Sequence, residues 1–274
     1  MPSNMVINNR TASTLLVGGV YAEGAYYGSS EVFIASEGDF NPASLFANGE
    51  QGAFYDPSDL STLFQDDAGT TPVTGPGQTV GLMLDKSGNG SHATQSTAES
   101  RPVYQAGGGL QWLEFDGVDD FLAVDITARY ENTTIVAGAN AVSTTSNICY
   151  IIGQRPAESE RFYFNTTVVS KGGVQQFYDG VIDRAVYFAR YDDPEFLMRR
   201  DGAIVASGEA SITGDIDVRL IGAGTVDPGG SQILPTVFFD GEIYGLLLRV
   251  GPNLSAEDRD RVESFFAQRT GVTL

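Results

Sequence analysis

Basic residues are scarce in this chain: 16 Lys and Arg stand against 35 Asp and Glu, for a formal charge of −19. Lys86 and Lys171 are the only lysines. A surface so acidic repels phosphate backbones and anionic headgroups, so neither nucleic acid nor membrane insertion is expected. Cysteine is nearly absent as well. Cys149 stands alone, which excludes an intrachain disulfide, and within the apolar run Ile148 to Ile152 it reads as a small buried hydrophobe. His92, the only histidine, sits in a Gly/Ser/Asn turn, so a Cys–His nucleophile pair is not expected. No apolar run approaches transmembrane length. Met1 to Arg10 lacks the basic start and apolar run of a leader, so the chain is expected to be made in the cytoplasm.

What is abundant points to β structure. There are 33 glycines, 16 Phe and 12 Tyr among 274 residues, enough chain for a full core between many turns. From Gly109 onward short apolar runs recur between turn signals, as at Thr133–Ala137, Ile148–Ile152, Arg161–Phe164, Arg184–Phe188 and Phe196–Arg199. Asp116-Gly117 and Asp201-Gly202 each predict a hairpin, since such turns need positive φ. A third Asp-Gly, Asp240-Gly241, lies inside the run Thr236–Leu248. Trp112 alternates with Gln111 and Leu113 and is expected in the core.

Helices are few. Asn41–Phe46 and Asp56–Phe64 each carry a capping residue and Pro at the first helical position, predicting two short helices. Ser255 with Asp258 forms a variant capping box, Val262, Phe265 and Phe266 form the apolar stripe, and Gly271 ends the helix. Residues 1–50 hold too few apolar side chains for a core of their own and are expected to act as an arm packed on something else. Residues 51–274 form the main domain. Gly107-Gly108-Gly109 and Gly222-Ala223-Gly224 lack the helix and Gly-Lys-Ser/Thr of a phosphate loop.

The dense turn Asp85-Lys86-Ser87-Gly88-Asn89-Gly90, the segment Trp112–Leu122, Asp201–Ala206, Arg219–Ala223, Phe239–Tyr244 and Leu254–Glu257 occur in the order found in laminin-G/concanavalin-like lectin domains. The set resembles the versions carried by tailed-bacteriophage structural proteins, and Ala25–Phe33 is similar to a short β-repeat near the start of such proteins. The resemblance implies an all-β fold, a concanavalin-like antiparallel β-sandwich (jelly roll) with an N-terminal β arm and a C-terminal helix. It further implies a non-enzymatic virion protein on capsid or tail, assembled in the host cytoplasm. Its expected partners are other virion proteins, further copies of itself in a homo-oligomer, and a host surface glycan.

Candidate sites follow. Tyr26, Tyr27 and Gly28 are expected at the virion attachment. Tyr178, Asp179, Tyr191 and Asp192 lie in expected loops and combine aromatic faces with acceptors for sugar hydroxyls. Asp85, Ser87 and Asn89 alternate as calcium ligands do, though Ser96 stands where an EF-hand needs Glu. No other cofactor is expected. Related jelly rolls of the laminarinase type cleave sugars with Glu-x-Asp-x-x-Glu. This chain has Glu114-x-Asp116-x-x-Asp119, one methylene shorter at the end, and no catalytic residue is expected. The alternatives to glycan display are a glycoside hydrolase of that type and an inert decoration protein.

Overall fold

The structure is a computed structural model. It describes residues 40–129, 132–141, 150–154, 163–165, 168–171, 174–177, 183–192, 195–209, 215–224 and 237–274, together with four short strands before residue 40. For those four strands and for residues 127–129, 150, 153–154, 163–165, 168–171, 174–177, 215–219 and 237, only the backbone is described. The chain divides into two compact units, Met1–Asn41 and Pro42–Leu274.

The smaller unit contains two hairpins, β1 (Leu16–Val17) with β2 (Val20–Tyr21) and β3 (Ala25–Tyr27) with β4 (Ser30–Val32). Tyr26 and Tyr27 pair with Glu31 and Ser30, whereas Gly28 lies outside the described residues.

The larger unit has two nine-stranded antiparallel sheets. The first runs through β20 (Ala203–Glu209), β19 (Glu195–Arg200), β18 (Ala185–Asp192), β13 (Thr133–Ala141), β24 (Asp240–Val250), β11 (Leu110–Asp116), β10 (Val103–Gly107) and β7 (Gln78–Thr79). Along one edge of β24 lies β13. The other edge is shared between β11, beside Asp240–Ile243, and β5 (Gln51–Tyr55), beside Leu246–Val250. The second sheet runs through β17 (Val174–Phe177), β16 (Val168–Lys171), β15 (Tyr163–Asn165), β14 (Tyr150–Gln154), β21 (Asp215–Ile221), β12 (Leu122–Arg129), β9 (Ala93–Thr94), β8 (Leu82–Met83) and β6 (Leu63–Phe64). A small pair, β22 (Ala223–Gly224) with β23 (Val237–Phe238), completes the strands. The expected all-β sandwich with a C-terminal helix is therefore found.

Alternation builds the core between the sheets. Leu113 and Phe115 of β11, Ile135, Ala137 and Ala139 of β13, and Tyr187 and Ala189 of β18 meet Leu122, Ile126, Ile152 and Ile221 of the second sheet. Strand β13 is buried on both faces, because α1 (Ala256–Thr270) covers the outer side of the first sheet. Phe54, Val136, Leu247, Val262 and Phe266 are buried there. Gly138 and Gly245 face each other across β13 and β24 and let the helix come close. A Cβ at Gly138 would stand 2.6 Å from Thr270 Cγ2, and one at Gly245 would stand 2.8 Å from Phe266 Cε1.

The helix ends match the sequence expectation. Ser255 Oγ accepts from the Asp258 N–H at 3.0 Å and donates to Asp258 Oδ2 at 2.8 Å. At the other end the Gly271 N–H, at φ +70°, reaches Ala267 O. Phe265 is half-buried and packs edge-on against Phe54, with Arg269 over its ring.

Three expectations need correction. The predicted helix at Asp56–Phe64 shrinks to a single turn, Leu60–Thr62, followed by β6. There Asp56 and Asp59 accept from the amides of Ser58 and Ser61, and these local bonds compete with helix formation. Asp116-Gly117 does not join a hairpin, since β11 and β12 belong to different sheets and the segment carries the chain across the sandwich. Trp112 points outward, half-exposed, because Leu113 and Phe115 take the inward positions. By contrast, Asp201 and Gly202, at φ +47° and +75°, form the expected turn between β19 and β20.

Candidate functional site

The Asp85 loop brings its three predicted residues together, but around hydrogen bonds that seal it to β5. Asp85 Oδ1 accepts from the N–H groups of Phe54 and Ser87, and Oδ2 accepts from Ser87 Oγ and the Ser91 N–H. Asn89 Nδ2 donates to the carbonyls of Glu50 and Gly52. The alternate spacing that resembles a calcium loop here closes an Asx-type turn.

The predicted sugar-binding loops fare differently. Tyr178 and Asp179 lie outside the described residues. Tyr191 is corrected: it points into the core from β18, 4% exposed, and offers no face to a sugar. Its neighbour Asp192 is half-buried and accepts from Asn253 Nδ2. Strand alternation explains both, since Tyr191 continues the inward series of Tyr187 and Ala189.

A denser polar group stands on the outer face of the first sheet, where β11 and β24 run side by side. Paired residues in an antiparallel ladder share a face, so register decides what meets. Glu114 lies opposite Glu242, and Asp116 opposite Asp240. One step further along, the ring of Trp112 contacts that of Tyr244 at a centroid distance of 5.7 Å. The ladder thus presents an aromatic rung, a Glu–Glu rung and an Asp–Asp rung. Like charges directly opposed are destabilising in a ladder, and two such rungs follow one another on this face.

The Glu–Glu rung is asymmetric. Glu242 Oε2 accepts from Asn140 Nδ2 at 2.9 Å and from the Tyr244 hydroxyl, and Arg184 Nη2 stands 3.6 Å away. The Arg184 guanidinium also lies over the Tyr244 ring, 5.1 Å from its centroid. Burial and the adjacent Glu242 charge push the Tyr244 hydroxyl well above the usual tyrosine range, so it remains a donor. Glu242 Oε1 has no hydrogen-bond partner among the described residues. Glu114 is exposed and accepts one bond, from Gln105 Nε2 at 2.8 Å. Trp112 Nε1 is shut from solvent without an acceptor among the described residues.

Below the ladder the acids continue into the crossover. Asp116 Oδ1 accepts from the amides of Val118 and Asp119, Asp119 Oδ2 from Ser100 Oγ, and Asp120 Oδ2 from the Asp116 N–H. Oxygens of Asp116, Asp119 and Asp120 lie within 4.8 Å of one another, a donor set of the type hard divalent cations take. Asp120 is 5% exposed, and burial, followed by the charge of Asp116, pushes its carboxyl up to about 6. Burial and Asp116 also raise Asp240.

Glu114 and Asp116 were legible in the sequence as part of a sugar-cleaving pattern. Asn140, Arg184 and Glu242 were not, because they come from segments far apart in the chain. The only sequence signal for Glu242 is its place beside Ile243 at the head of the apolar run Ile243–Leu248.

No family model and no curated protein matches this chain. Among solved structures it is similar to an arabinofuranosidase complexed with arabinofuranosyl-alpha-1,2-xylobiose, with a TM-score of 0.54 and 13% identity over 84% of this chain. A GH54 α-L-arabinofuranosidase soaked with a cyclic sulfate inhibitor gives a TM-score of 0.54 at 11% identity. The chain spans 65% of the length of each. Domain 4 of AbnA, a GH43 extracellular arabinanase from Geobacillus stearothermophilus in complex with arabinotriose, superposes with a TM-score of 0.48 at 13% identity, covering 77% of this chain and 98% of that domain.

At such identities the likeness is one of fold alone. It overturns the expectation of a non-enzymatic protein all the same. That expectation rested on a fold resemblance to display lectins, and the same fold is carried by arabinofuranosidases. Nothing in these neighbours ties the chain to laminin-G domains or to a phage virion.

Proposed function

We propose that the protein is a carbohydrate-active β-sandwich that binds a glycan along the β11–β24 ladder and hydrolyses it. The observation that carries this reading is the Glu114–Glu242 rung, with one oxygen of Glu242 anchored by donors and the other without a partner among the described residues. Directly opposed residues place their Cβ atoms about 4.5–5.5 Å apart. Two glutamates rising side by side from such a rung have side chains long enough to set their carboxyl groups at the roughly 5–5.5 Å used by retaining glycosidases.

The roles follow from the restraints. Glu242, fixed through Oε2, attacks the anomeric carbon with Oε1 while the glycosidic C–O bond breaks. Glu114, exposed and held by one amide, gives its proton to the leaving oxygen. A water then loses a proton to Glu114 and displaces Glu242 from the sugar, restoring both groups. Trp112 supplies an apolar face against which a sugar ring stacks. The fold shared with arabinofuranosidases supports the reading without assigning a sugar.

The test is hydrolysis of a panel of aryl glycosides and polysaccharides by the wild type, E114Q and E242Q. Each variant is expected to lose at least about a hundredfold in kcat, with E242Q still binding polysaccharide. Full activity in both variants would end the assignment of these two residues, and a wild type that cleaves nothing would end the hydrolase reading.

A further inference from the structure

Resting on the glycan reading above, we infer that this site takes uncharged glycans and rejects acidic ones, and that the Asp116–Asp240 rung does the rejecting. The rung lies two residues along the strands from Glu114 and Glu242, about 7 Å away. A glycan laid along the ladder with its scissile bond at the glutamates therefore passes a neighbouring sugar over the aspartates. Asp116 is exposed there and Asp240 half-buried, with Asp119 and Asp120 immediately behind Asp116.

A uronate or sulfate on that sugar would meet a group of carboxylates. Arg184 stands on the other side of the Glu–Glu rung, already engaged by Glu242 and the Tyr244 ring. Hydroxyl groups meet the opposite situation, because carboxylates are acceptors and neutral sugars are rich in donors. The raised carboxyl of Asp240 fits the same picture, as the rung already holds more negative charge than it accommodates easily. One further carboxylate nearby adds repulsion on the order of 1 kcal/mol per close pair in water, or about fivefold to tenfold in affinity.

Affinity electrophoresis against neutral arabinan, xylan and glucan polymers, each paired with its carboxymethylated derivative, tests this. At low ionic strength the wild type should bind a neutral polymer about tenfold or more tightly than its derivative, with the gap narrowing as salt screens the charges. D240N should narrow the gap to about threefold, and D116N/D240N should narrow it further. D240N is the safer variant, since Asp116 also organises the crossover through its amide bonds. Equal binding of neutral and carboxymethylated polymers would overturn the inference and leave the glycan reading standing. A gap unchanged in both variants would move the selectivity from the rung to the overall charge of −19. If no polymer of either kind binds, the glycan reading falls and this inference falls with it.

Discussion

Replacing Asp120 by Asn should make the protein more stable at neutral pH. The side chain is 5% exposed and lies beside Asp116 and Asp119, and its carboxyl is raised from 3.8 to about 6, chiefly by burial. A group with a raised folded-state pKa favours folding while protonated. Its contribution is complete below about pH 4 and is lost as the pH climbs to about 6, above which the penalty is constant. At about 1.4 kcal/mol per pH unit, the penalty at pH 8 is at most about 3 kcal/mol. Asn keeps an oxygen to accept the Asp116 N–H, and its new amide hydrogens face the neighbouring carboxylates. A net gain of about 1–3 kcal/mol is expected, or roughly 2–12 °C in Tm for a unit of this size. Thermal melts of wild type and D120N between pH 3.5 and 8 are the assay. The gain should appear between pH 4 and 6 and vanish at pH 3.5. A variant less stable than wild type at pH 8, or a gain independent of pH, would refute the argument. The first result would mean that the charge is needed, as it would be if a cation neutralised the corner.

W112F removes an indole N–H that is buried without an acceptor among the described residues, a defect of order 1–3 kcal/mol. It should raise the urea midpoint while weakening polysaccharide retention, whereas a tryptophan serving only the core would lose stability on the same change. G138A adds a Cβ 2.6 Å from Thr270 Cγ2, and the resulting shift of α1 should cost about 1–3 kcal/mol in chemical denaturation. An unchanged midpoint would show that the helix does not press on the sheet at that point.

The sequence exposed the fold more fully than the site, and particular residues show why. The C-terminal helix is encoded locally: cap, stripe and terminating glycine lie within seventeen residues, Ser255 to Gly271, and each acts through its immediate neighbours. The Asp201-Gly202 hairpin is equally local. Asp116-Gly117 carries the same dipeptide and misleads, since positive φ at glycine reverses a chain within a sheet or turns it across to another sheet equally well. Trp112 misleads for a related reason. Alternation says that Trp112 and Leu113 face opposite ways, but not which way is inward until β12 and β24 take their places. Glu263 shows a third limit, for nothing in an acidic, charge-rich helix marks the one glutamate that is 1% exposed and pairs with Arg199 at 2.9 Å.

By itself the sequence determined the class of fold, the hairpin and helix signals and the acidic character of the surface, because these follow from composition, period and nearest neighbours. Tertiary structure alone decided that Glu114 meets Glu242, that Asp116 meets Asp240, and that Asn140, Tyr244 and Arg184 gather around one carboxylate oxygen. The meetings of Glu114, Asp116 and Asn140 with their partners depend on the register between strands more than a hundred residues apart, and register is set by the whole core closing at once.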